Sequence, residues 1–312
     1  MPVLTVRHVT TYRYRQPVSF GEHRLMFRPR DSYDQRLVDV ALNVTPKPSE
    51  VSWAHDVFGN CVARVRFAGR AKELRFECVI RLDHSSTQEL QFQTADYARS
   101  YPFSYGAEDM PDLLRLIERE YPNPDHELDR WAREFLRREG PTPTHELLAG
   151  MTHAVKQRFT YVARAESGVQ TPLQTLRLGS GSCRDFALLM MEAVRSLGLA
   201  ARFVSGYLYS PSRDRHGAAS GGNVGGGATH AWLEVFVPGD GWVEFDPTNG
   251  IVGNRDLIRV AVVRTPAQAV PLSGTWTGFP SDSLGMTVEV NVTSDENTAE
   301  EHPTSQRVAA GS

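Results

Sequence analysis

The apolar residues of this 312-residue chain change their period once, near residue 100, and that switch restricts what the chain can fold into. Before it, Leu74, Phe76, Cys78, Ile80 and Leu82 alternate with Glu73, Arg75, Glu77, Arg81 and Asp83, interrupted only by Val79. Period-two alternation is the mark of strands with one buried face. Val38, Val40 and Leu42 form a shorter run, and Pro46-Lys-Pro48 and Asp56-Val-Phe-Gly-Asn60 supply turns between runs. Residues 1 to about 95 therefore predict an antiparallel sandwich or open barrel. From about 110 the spacing is helical: Leu128, Trp131, Phe135 and Leu136 form one stripe, and Leu147, Leu148, Met151, Val155 and Phe159 another. Pro141-Thr-Pro143 separates the two, with Thr144 and Glu146 favouring a fresh helix start. The expected fold class is α+β, with an N-terminal β domain over 1–100, a second domain over 101–292 and a disordered tail over 293–312.

Within the second domain, Ser182-Cys-Arg-Asp185 fits a capping box, with Ser182 as N-cap and Cys183 as the first helical residue. Phe186, Met190, Val194 and Leu197 continue a buried stripe, and Gly198 ends the helix. Three strands are expected next, at about 201–209, 229–237 and 242–246. The glycine-rich stretch 210–227 between the first two is either a lid or a solvent-exposed insertion.

Bulk properties exclude several classes. A formal net charge of -3 argues against a nucleic-acid or anionic-membrane binder. No stretch approaches the roughly 20 apolar residues that span a bilayer. The segment Met1 to Tyr14 lacks the apolar core of a signal peptide, so cytoplasmic residence is the default expectation. Three cysteines do not suggest a disulfide framework, and neither Cys61 nor Cys78 has a metal-ligand partner at a plausible spacing. Both read as buried small hydrophobes. Neither metal nor cofactor is expected.

Cys183 alone has a chemically suggestive setting. A helix N-terminus favours the thiolate, and its free amide groups are natural donors to an oxyanion. Thr229-His-Ala-Trp232 and Trp242-Val-Glu-Phe-Asp-Pro247 follow, giving thiol, imidazole and carboxylate in the order Cys183, His230, Asp246. Such a set supports acyl transfer through cysteine. Taken singly, each residue also has a plain structural reading, as a buried thiol or a satisfied polar group. For His230 to stand opposite Asp246 across the hairpin, the turn must centre on Pro238. Asp185 is expected to stabilise the helix start. Arg184 either binds a substrate carboxylate or makes a surface ion pair. Trp232 can wall the acyl site and Tyr161 can offer an oxyanion donor, although both also suit a core aromatic with a polar handle.

These motifs together resemble the bacterial transglutaminase-like family, on Gly-Ser-Cys-Arg-Asp-Phe at 181–186, Thr-His-Ala-Trp at 229–232 and Trp-Val-Glu-Phe-Asp-Pro-Thr-Asn at 242–249. Asp56-Val-Phe-Gly-Asn60 resembles a turn of that family's N-terminal region. The resemblance implies a papain-like cysteine hydrolase core behind a β domain, its Cys-bearing helix packed on an antiparallel sheet. It sets the nucleophile on Cys183, the general base on His230 and the orienting acid on Asp246. Asp256-Leu-Ile258 and Val263-Arg-Thr-Pro-Ala267 depart from the family's usual continuation, which puts the substrate-pocket wall in question. The implied activity is amide-bond chemistry on a peptide, protein or isopeptide through a thioester, with hydrolysis favoured over transfer to an amine. A non-catalytic scaffold is the competing class. Related bacterial proteins are often encoded beside ATP-grasp-type peptide ligases, which implies a link to peptide processing.

Overall fold

A computed structural model describes residues 3–85, 92–163, 168–216, 227–254 and 256–295. Most of the stretch 210–227, and the tail beyond 295, lie outside the described residues.

Five strands open the chain: β1 (Val3–Leu25), β2 (Gln35–Thr45), β3 (Glu50–His55), β4 (Cys61–Arg66) and β5 (Arg70–His84). They run in the order β2-β5-β1-β4-β3, each pair antiparallel. β1 serves two parts of the sheet. It pairs with β5 from Val3 to Arg13 and again at Val18 and Ser19; its last residues, from His23, pair with β4. The break falls at Pro17, which has no N–H to give a ladder. The predicted alternation is realised, since Leu74, Phe76, Cys78, Ile80 and Leu82 are all buried in one core with Leu4 and Val6. Cys61, expected to be buried, is only partly so, because it lies at the end of the β3–β4 hairpin.

The helical stretch contains a short pairing of β6 (Ser100–Tyr101) with β7 (Thr142–Pro143), then α1 (Met110–Ile117), α2 (Glu127–Arg133) and α3 (Thr144–Arg158). β8 (Thr160–Tyr161) pairs in parallel with β9 (Ser180–Gly181), on either side of α4 (Pro172–Leu178). α5 (Cys183–Ser196) follows, then β10 (Ala201–Leu208) and α6 (Pro211–His216). The second sheet has the order β13-β12-β11-β10-β14, built from β11 (His230–Val237), β12 (Gly241–Asp246), β13 (Ile251–Val252) and β14 (Leu257–Val263). Leu233, Val235, Val243 and Phe245 share a core with Phe186, Met190 and Val194 of α5, so the helix lies against one face of this sheet.

The chain then returns. β15 (Leu272–Thr277) and β16 (Ser283–Ser294) both pair with β1, β16 along Leu4 to Tyr14. A single catalytic unit over 101–292 is therefore too long, because 272–294 belongs to the first sheet. The pattern hid this: most of β16 is exposed, so no buried face marked its partner.

Two side-chain amides fasten the sheets together. Gln35 accepts from Arg259 N (2.9 Å) and donates to Arg259 O (2.9 Å). Asn60 accepts from Val262 N and donates to Val262 O, both at 2.9 Å, so each amide mimics a strand partner for β14. Asp56 shapes the turn that delivers Asn60, accepting from Phe58 N, Asn60 N and Asn60 Nδ2. Gly59 takes the left-handed φ of +76° within it. The Asp56–Asn60 motif is thus a docking device. Asn60→Ala would strand both Val262 groups and is expected to cost about 2 kcal/mol, read as a lower denaturant midpoint at unchanged slope.

Candidate active site

The start of α5 is fixed by Asp185, which is fully buried. Its carboxylate accepts from Ser182 N and Ser182 Oγ (both 2.8 Å) and from Gln170 N (2.7 Å). The first of these is the reach-back expected of the capping box. Gly181 has to be glycine, because a Cβ there would lie 2.8 Å from the Asp185 Cβ. Cys183 follows as the first helical residue, 7% exposed, where the helix amides are unspent.

His230 opens β11 opposite Gly206 of β10, and Asp246 closes β12. Imidazole and carboxylate meet with His230 Nε2 2.8 Å from Asp246 Oδ2, both side chains out of solvent. They share a sheet face, as expected, but not by the expected register. Val237 pairs with Gly241, so the turn centres on Gly239 rather than Pro238. Gly239 has φ +92°, and the backbone of 93–95 packs so closely that a Cβ would lie 2.4 Å from Gln93 O. One residue further along this register, Asp246 faces Trp232, and His230 is its diagonal neighbour. Diagonal pairs stand about 7–8 Å apart, a gap that two polar side chains reaching toward each other close.

Cys183 influences the ring as well. His230 Nδ1 is buried and has no hydrogen-bond partner among the described residues, while the Cys183 side chain lies close enough to favour the charged imidazole. Burial opposes a charge on His230, yet the Asp246 carboxylate and its hydrogen bond, with Cys183, outweigh it and raise the pKa from 6.5 to about 10. Burial likewise opposes charge on Asp246, but His230⁺ and the hydrogen bonds it receives hold its pKa below the usual 3.8. Those bonds come from Thr248 N (2.9 Å), Asn249 N (3.4 Å) and Asn249 Nδ2 (2.8 Å). Lys156 of α3 donates to Asn249 O at 2.5 Å and ties this turn to the helical layer. Asn249 and Lys156 were not singled out from sequence. Asn249 stood within a quoted motif, but nothing about an asparagine after Asp-Pro-Thr announces that its side chain turns back onto the carboxylate.

The remaining candidates occupy different settings. Trp232 is fully buried among Val204, Leu208 and Leu257, stacked 6.0 Å from the His230 ring, and its Nε1 has no hydrogen-bond partner among the described residues. Tyr161, half-buried on β8, lies close enough to Cys183 for the sulfur's charge, after burial itself, to raise the phenol pKa. Arg184 points elsewhere: its Nη2 donates to Pro266 O at 2.7 Å, and the guanidinium lies 5.3 Å over the Phe203 ring.

Residues 4–83 match the bacterial transglutaminase-like N-terminal region, and residues 130–247 match the transglutaminase-like superfamily. An uncharacterized protein of Mycobacterium tuberculosis is 28% identical over 305 residues, covering 91% of each chain. One of Mycobacterium leprae is 33% identical over 135 residues, 43% of this chain and 46% of that one. A solved structure from Cytophaga hutchinsonii, described as a "putative cysteine protease", shares the fold with a TM-score of 0.67 at 18% identity, over 93% of this chain and 90% of that one. Over residues 4–83 and 130–247 the chain belongs to the transglutaminase-like superfamily, with the N-terminal region of the bacterial members.

Proposed function

We propose that the protein is a cysteine-dependent amide-bond hydrolase acting on peptide, protein or isopeptide substrates in the cytoplasm. The observation that carries this reading is the buried His230–Asp246 pair beside a thiol at the N-terminus of α5. Cys183 passes its thiol proton to His230, Sγ attacks the substrate carbonyl, and the helix amides take the oxyanion. The C–N bond breaks as His230 gives its proton to the leaving amine, leaving a thioester on Cys183. Water then attacks the thioester with His230 accepting its proton, and the acid leaves as the thiol is restored. Asp246 holds the ring through Nε2, which leaves Nδ1 to exchange the proton with sulfur. Tyr161 assists from the β8 side, and Trp232 braces the ring by stacking. The Pro266 and Phe203 contacts of Arg184 support a packing role, so substrate contact by Arg184 is the weaker reading. Three free thiols suit a reducing compartment. Among the described residues no helix is long and apolar enough to cross a membrane. A role beside a peptide ligase would provide substrates of this class.

The test is mass spectrometry of the intact chain during turnover of candidate peptides and isopeptides, with and without an added primary amine. An acyl mass on Cys183 that is absent from Cys183→Ala, with free acid as product, is expected. A product carrying the amine would make the enzyme a transferase. No adduct and no cleavage across the panel would leave a scaffold.

A further inference from the structure

The first sheet does not close. β2 and β3 are consecutive strands joined by a short turn, yet among the described residues β2 pairs only with β5 and β3 only with β4. Two strand edges therefore border one gap, each with backbone groups lacking a ladder partner. The side chains in the gap belong to the face that elsewhere forms the core. Val40, Leu42 and Val44 stand opposite Ile80, Cys78 and Phe76, and Val51 and Trp53 stand opposite Val65 and Ala63. Those five partners are at most 1% exposed, whereas Val51 is 42% and Trp53 46% exposed. The gap is a cavity of about 420 Å³ between Leu42, Val44 and Pro48 on one side and Val51 and Trp53 on the other. A second cavity of about 250 Å³ shares Arg28 and Trp53 with it and ends at His55 and Cys61.

Arg28 supplies the charge. Its guanidinium lies 5.9 Å over the Trp53 ring and has no carboxylate partner among the described residues. An open pair of edges wants a strand, half-covered core residues want alternating apolar side chains, and an unpaired guanidinium over an aromatic ring wants a carboxylate.

We propose that the seam between β2 and β3 binds an extended acidic polypeptide segment as an added strand, with a carboxylate of that segment set against Arg28. This goes beyond the amide chemistry at Cys183 and does not depend on it.

Cys61 at the end of the groove gives a direct readout, because the other two cysteines are buried. In the full chain carrying Cys183→Ser, so that no peptide is cleaved, the rate of Cys61 alkylation is measured against the acetylated peptide Thr-Val-Thr-Val-Thr-Glu-Lys, whose glutamate shares the face of its valines. Saturating peptide is expected to slow alkylation at least about fivefold. Glutamine in place of the peptide's glutamate should weaken binding about tenfold, the value of one charge-assisted contact. Proline in place of the central valine should abolish binding, since a strand bond is lost. Arg28→Glu should reverse the preference in favour of a lysine peptide at an unchanged melting temperature. No protection by peptide, equal binding of the glutamate and glutamine peptides, or indifference to Arg28→Glu would each overturn the proposal. Protection that needs no peptide and grows with protein concentration would also overturn it, giving the seam to a second copy of the chain. The peptide arms change nothing in the protein, so a folding defect in the Arg28 variant cannot mask the answer. Loss of the hydrolase reading would leave these outcomes untouched.

Discussion

Asp246→Asn is expected to lower turnover about 100- to 10,000-fold, the range of a positioned acid–base group, and to move the alkaline limb of the pH–rate profile to lower pH. The two effects have one origin. Burial alone would press the His230 ring toward neutrality, and the Asp246 carboxylate is the first influence that overcomes it, bringing the pKa to about 10. Asparagine can still accept from Nε2–H, so orientation is partly kept while the charge is lost. Turnover should therefore begin to fail at a lower pH than in the parent, as the imidazolium can no longer be held. Asp246→Ala removes the acceptor as well, and should be worse in turnover than Asp246→Asn. Stability follows the same linkage. The His230 pKa is raised on folding, so its contribution is full below 6.5 and is lost as pH rises through about 10. The Asp246 pKa is lowered, so its contribution is full above 3.8 and is lost on acidification below that. The pair thus stabilises most between about 4 and 6.5, and urea midpoints of Asp246→Asn should diverge most from the parent in that window. Equal midpoints there, or an unmoved alkaline limb, would remove Asp246 from the role proposed for it.

What could be read from sequence divides by range. Cys183 at a helix start rests on three neighbours, Ser182, Asp185 and Phe186, and such local signals survive in a bare sequence. The alternation in β5 was legible because one face is wholly buried. The His230–Asp246 meeting was only partly legible. Their shared face follows from parity, but the register turns on Gly239, whose backbone is held by a segment more than 140 residues earlier, as Ala95 N donates to Pro238 O at 2.8 Å. Pairing of β15 and β16 with β1 spans most of the chain, and the exposed face of β16 gave no pattern to detect. The role of Asn60 was hidden for the same reason: its motif was visible, but its partner Val262 lies some 200 positions on. Local chemistry announces itself; long-range complementarity has to be seen.

Arg195→Leu is expected to be the most destabilising single change outside the candidate site, by about 3–5 kcal/mol. Arg195 and Glu192 lie one turn apart on α5 with fully buried side chains, 3.0 Å apart. Burial lowers the Arg195 pKa and raises that of Glu192, so each charge persists only by virtue of the other and of the surrounding hydrogen bonds. Arg195 donates to Leu116 O (2.9 Å), Ala201 O (2.9 Å) and Arg264 O (2.8 Å), tying the end of α1, the start of β10 and the exit from β14 to one helix. Glu192 accepts from Glu120 N (3.1 Å) and Tyr121 N (3.4 Å), fixing the segment that follows α1. Leucine in place of arginine leaves a buried carboxylate without its cation and three carbonyls without a donor. Against a typical total of about 5–15 kcal/mol, that loss is a large fraction of the whole. Glu192→Gln alone should cost less, since the amide keeps an acceptor for Arg195. The double change Glu192→Leu with Arg195→Leu should recover part of the single Arg195 loss, because no uncompensated charge remains. With the single Glu192→Leu added to complete the cycle, denaturant midpoints decide the matter: a double variant as unstable as the sum of Glu192→Leu and Arg195→Leu would mean that the carbonyl contacts, and not the charge pair, hold α5 against the strands.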